Sequence, residues 1–172
     1  MNLSLIINLN KLIQNIKKLD IPIPDNFNLK FFNNSDELFY NLNASLFENS
    51  NLNHKKRLAY LNKLRTLMNK NIFSKAHNLT LSSKVEQELG RIQNAIKKST
   101  DAYKIFESLY NKNKLAINGS IFAYSTLSNI YSNLNLNNIS LEYLYKAQKI
   151  IHLSENNYIP KIRINLNLGI SY

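Results

Sequence analysis

No cysteine occurs among the 172 residues. Disulfides, thiolate metal sites and cysteine nucleophiles are therefore excluded, and the composition fits a reducing compartment. Glycine and proline number three each. No proline interrupts 25–159, which favours helices over strands joined by turns. Three isolated glycines, Gly90, Gly119 and Gly169, leave no phosphate-cradling loop and no nucleophile elbow. No apolar run approaches the ~18–20 residues needed to span a bilayer. The opening stretch lacks a basic region and is broken by Asn8 and Asn10, which argues against a secretory signal. A cytoplasmic protein is expected.

Catalytic groupings are scarce too. His54, His77 and His152 lie far apart, without metal-ligand spacing. Glu86 and Glu88, two residues apart, diverge by roughly 200° on a helix and form no acid–base pair. Ser99-Thr100-Asp101 reads as a helix cap rather than a nucleophile. No catalytic residue, metal or cofactor is expected, and the chain reads as non-enzymatic.

Asparagine is abundant, at 30 residues, and 18 lysines stand against 4 arginines. Both have A/T-rich codons, so genome composition is the simplest source of the bias. The net charge of +11 is different, because glutamate codons are also A/T-rich and glutamate is scarce. Eight Lys/Arg and no acid fall between Asn49 and Val85. Lys56, Lys63 and Lys70 recur every seven residues, so they stack on one helical face with Lys55 nearby. Such a face is ordinarily solvated, but without acidic partners it would attract acidic proteins, anionic lipid or nucleic acid.

Apolar spacing predicts an amphipathic helix over 3–19, through Leu5, Leu9, Leu12, Ile13, Ile16 and Leu19. Pro22 and Pro24 then enforce an extended linker. Helices follow from Ser35 and over 54–69, separated by a polar break at 49–53. The period over 72–81 is indistinct. Ser82 or Ser83 is a candidate cap for a helix through Val85, Leu89, Ile92 and Ile96. Ser99 caps the next, carrying Ala102, Ile105 and Phe106. Asn118-Gly119-Ser120 reads as a turn before a hairpin of 121–134 and 138–153.

Within that hairpin, Tyr124, Leu127, Ser128 and Tyr131 precede Ser140, Leu144 and Ala147. This pattern resembles one tetratricopeptide repeat. Small residues at 128, 140 and 147 let two antiparallel helices approach, while the large ones fill the seam. Leu89-Gly90 with Ala102, Phe106 and Leu109 repeats the phase upstream, and Leu168-Gly169 with Tyr172 restarts it. Spacings of 38 and 41 residues exceed the ~34 of the standard repeat, so the resemblance, over about 84–172, is to long-repeat members.

The resemblance implies an all-α fold of stacked antiparallel helical hairpins, a TPR-like right-handed α-solenoid. Residues 1–20 would form an N-terminal helix, 21–34 a linker and 35–172 the repeat domain, clearest at 121–154. It further implies a groove lined by Lys84, Gln87, Arg91 and Asn94, then Ser125, Asn129, Ser132 and Asn133, then Arg163 and Asn167. Cations and amides there suit a protein or peptide partner with acidic groups. The implied role is protein–protein interaction or regulation. The alternative is a basic nucleic-acid-associated protein using 54–75. Leu166, Leu168, Ile170 and Tyr172 begin a repeat without its second helix, so a longer array or self-association through that end is expected.

Overall fold

The computed structural model describes residues 3–24 and 32–153. Among them stand seven α-helices and no strand. They are α1 (Leu3–Lys18), α2 (Ser35–Glu48), α3 (His54–Arg65), α4 (Ile72–Glu88), α5 (Ile92–Ser108), α6 (Leu115–Asn133) and α7 (Asn137–Ile150), with a short 3-10 turn at Ile151–Leu153. The expected last helix, with Arg163 and Asn167, lies outside the described residues. No helix among the described residues is long and apolar enough to cross a membrane.

Asparagine supplies many of the helix ends. At the start of α2 the Asn34 side chain accepts from Glu37 N at 2.9 Å, while the Glu37 carboxylate accepts from Asn33 N at 2.9 Å. This reciprocal cap satisfies two backbone donors at once. Asn53 caps α3 in the same way, accepting from Lys56 N at 2.9 Å. Three helices end alike, at Leu19-Asp20-Ile21, Leu89-Gly90-Arg91 and Leu134-Asn135-Leu136. The central residues have φ of 55°, 74° and 60°, the left-handed region that glycine, asparagine and aspartate tolerate best. Each central N–H bonds the carbonyl three residues back, and the next N–H bonds the one five back.

The serines expected to start helices lie inside them. Ser82 and Ser83 sit fully buried inside α4, which runs unbroken from Ile72. Ser99 is interior to α5, and Asn118-Gly119-Ser120 is interior to α6. These hydroxyls serve helix crossings instead of helix starts. Ser83 Oγ donates to Ala95 O at 2.7 Å and Ser99 Oγ to Ser83 Oγ at 2.9 Å. At the next crossing Ser128 and Ser140 meet Oγ to Oγ at 2.8 Å. The expected long helix over 54–69 ends at Arg65, with a turn before α4.

Those crossings reveal the internal register. Gly90 and Asn135 occupy the same turn 45 positions apart. The same offset carries Ser83 to Ser128, Ala95 to Ser140 and Ala102 to Ala147, all buried where the helices meet. The 38-residue spacing inferred from Leu89 to Leu127 is therefore short by seven residues. Seven residues are nearly two helical turns, so the slip preserves the helical face and hides itself in the pattern.

Around α4 the core is continuous. α4 packs on α2, α3, α5 and α6, and α6 on α5 and α7. Leu9, Ile16 and Ile21 share a cluster with Leu38, Leu42, Leu61, Leu64 and Val85, so α1 joins the same core as α2–α4. A buried amide pair holds α2 and α3 on α4. Asn78 Nδ2 donates to Asn43 Oδ1 at 2.8 Å and to Leu61 O at 2.9 Å, and Asn43 Nδ2 donates to Ser74 O at 3.1 Å. Beyond α4, the Tyr124 hydroxyl donates to the Glu107 carboxylate, linking α6 to α5.

Two substitutions test the close crossings. A Cβ on Gly119 would press into the fully buried Phe106 ring. Gly119→Ala is expected to lose about 1–3 kcal/mol to overpacking, exceeding the ~1 kcal/mol that alanine gains in helix propensity. Ala147→Leu is expected to destabilise by about 1–3 kcal/mol for the same reason. Chemical denaturation measures both, and an unchanged midpoint would mean the helices do not approach this closely.

Candidate functional site

Helices α2, α4 and α6 line one cleft of about 750 Å³. Helical spacing explains the lining. Glu37, Tyr40, Asn41, Ala44 and Glu48 fall on one face of α2. Phe73, His77, Leu81 and Lys84 do so on α4, and Leu115, Asn118, Gly119 and Phe122 on α6. His77 and Phe122 are related by the 45-residue register, so the two hairpins place a ring at equivalent positions.

Ring faces dominate the floor. Tyr40 stacks on His77 with centroids 4.1 Å apart, and Phe73 meets Phe106 edge-on at 5.5 Å. The Lys84 ammonium lies 4.5 Å from the Phe122 centroid and 5.8 Å from that of Phe47, within cation–π range. His77 is only 8% exposed and its Nδ1 has no hydrogen-bond partner. Burial pushes its pKa down to about 4, because desolvation penalises the imidazolium. Asp36 and Glu37 line the same cleft and Lys84 shares its helix.

The groove residues expected from sequence divide. Lys84 does line the cleft. Gln87 sits half-buried in the last turn of α4, whereas Arg91 stands in the left-handed turn, 3.6 Å from Glu86. Asn94 is exposed on α5, a different helix. The four therefore share no single face, a direct result of the seven-residue slip. On α6, Ser125 is buried while Asn129 and Asn133 are exposed. The register makes Asn129 the counterpart of Lys84. Tyr40, His77 and Phe122 were missed, since aromatic residues 37 and 45 positions apart belong to three separate helices.

The basic run is likewise divided. Lys55 and Lys56 are exposed in the first turn of α3, and Lys70 is exposed in the loop before α4. Lys63 reaches back to α1, its Nζ donating to Leu19 O at 3.0 Å, and so caps a helix end. Acids absent from 49–85 arrive from the end of α4. Glu88 takes His54 Nδ1 at 2.7 Å and Arg57 at 3.9 Å, while buried Glu86 takes Lys98 at 2.5 Å. As their spacing implies, the two glutamates face different neighbours.

No cluster of three His, Cys, Asp or Glu able to hold a metal occurs among the described residues. Comparison with models of known protein families, with curated proteins and with solved structures finds no match to this chain.

The depressed His77 pKa has a defined sign. The unfolded imidazole binds a proton near pH 6.5 and the folded one near 4. Stability is thus complete above pH 6.5 and declines as pH falls towards 4. About 2–3 kcal/mol should be lost between pH 7 and 4.5 through this group. His77→Phe should flatten that part of the profile in urea titrations, and an unchanged slope would show that His77 is not buried as described.

Proposed function

We propose that this chain is a non-enzymatic protein-interaction or regulatory module that holds a protein or peptide segment in the α2–α4–α6 cleft. The observation that carries this reading is the cleft itself: alternate helices of three successive hairpins each contribute one face to a ring-lined surface. A surface of this breadth suits a chain segment, with its side chains seated on the rings. A TPR-like right-handed stack is the arrangement that would place alternate helices on one side. The small-residue crossings, the paired turns and the 45-residue register support it.

A nucleic-acid role along 54–75 has less support. That segment spans α3, a loop and the start of α4, Lys63 is engaged with α1, and Glu88 lies 3.9 Å from Arg57.

A photo-crosslinking residue in place of Tyr40 should give discrete protein adducts that survive nuclease. The same probe in place of Tyr145, exposed on α7, should give none of these bands. Equal labelling from both positions, or adducts abolished by nuclease, would overturn the reading.

A further inference from the structure

The cleft carries charge of the sign opposite to the chain around it. Among the described residues, Asp36, Glu37 and Glu48 line it against one cation, Lys84, in a protein of net charge +11. Asp36 and Glu37 accept from neutral donors, Ser74 Oγ at 2.7 Å and Asn33 N at 2.9 Å. Glu48 is exposed and makes no ion pair among the described residues. It also closes α2, where the helix carbonyls add negative potential of their own. His77, more than nine-tenths buried and with its Nδ1 unpartnered, lines the same cleft.

We infer that the occupant is cationic: a segment of a partner polypeptide in which lysine or arginine adjoins an aromatic or branched aliphatic side chain. The inference rests on the cleft being a peptide site and reverses the charge that the sequence suggested. Lys84 already shows the mode of recognition, an ammonium seated on the Phe122 ring. Across from it, Tyr40 is 43% exposed, between Glu37 and Glu48 on the same helix face. A guanidinium over that ring would gain both a π face and a carboxylate. Glu37 and Glu48 are eleven residues apart, about 16 Å along the helix, which an extended peptide spans in about five residues. Two basic residues at that separation would meet both carboxylates. An acidic segment would instead set its carboxylates against theirs. The cationic surface elsewhere does not reverse this, since charges beyond about 8 Å are largely screened at physiological salt.

Phage-displayed random peptides selected on the full chain at physiological salt test the inference. Clones that lose binding on Tyr40→Ala report the cleft, with circular dichroism verifying that this variant stays helical. These clones should be enriched in Lys or Arg beside an apolar residue. Synthetic versions should bind Glu48→Lys about tenfold more weakly. That variant is exposed and puts a cation at a helix C-terminus, which favours folding. If the cleft-dependent peptides are acidic or neutral, or bind Glu48→Lys unchanged, the cationic inference falls while the cleft reading stands. If no enriched peptide depends on Tyr40, the cleft reading falls and the inference with it.

Discussion

The contact between α4 and the hairpin of α2 and α3 is set by one buried amide. Asn78 is fully buried, and it reaches both the side chain of Asn43 on α2 and the Leu61 carbonyl on α3. A buried amide without partners costs about 1–3 kcal/mol, so a slide of either helix along α4 would forfeit both bonds together. Apolar packing alone tolerates such slides far better. Tyr40 reaches His77 only in this register, and the α2 wall of the cleft depends on it. Beyond α4 the same task passes to serine pairs, Ser83 with Ser99 and Ser128 with Ser140. Their small volume permits close approach while their hydroxyls satisfy one another.

The helical class and the 121–153 hairpin were legible because their signals are local. Ser128, Ser140 and Ala147 are spaced as a close crossing requires, and they are buried in one. α4 was illegible for the opposite reason. From Ala76 to Ser83 every residue is buried, since neighbours cover the helix on all sides. A helix without a solvent face has no amphipathic period to read. Its serines then resembled caps, which is where serine usually works. The cleft was hidden by distance along the chain. Lys84 was found at a position assigned through a slipped register, and the rings beside it come from three helices.

Composition misled in a related way. Codon bias accounts for the number of asparagines but not for their placement. Asn34 and Asn53 cap helices, Asn135 takes a left-handed turn, and Asn43 and Asn78 form the central amide pair. The acid-free run at 49–85 is compensated in part by acids from beyond it. Folding brings Glu88 to His54 and Arg57 and sets Glu86 within electrostatic reach of Arg65, while Lys55, Lys56, Lys63 and Lys70 make no ion pair among the described residues. Asp36, Glu37 and Glu48 of α2 take part in none of these ion pairs, and they are the carboxylates that line the cleft.

α4 belongs to two clusters at once. Leu81 and Val85 lie with α1–α3, while Ala76 and Leu79 lie with Phe106 and Ala123 of α5 and α6. Helical arrays held by nearest-neighbour contacts commonly fray from an end, losing one unit while the rest persists. Here the inner helix cannot be released by one side without exposing apolar surface on the other. The two clusters therefore form one cooperative unit, and amide hydrogens along α4 should exchange only through global opening. The outer helices α1 and α7 are then where protection against exchange is lost first.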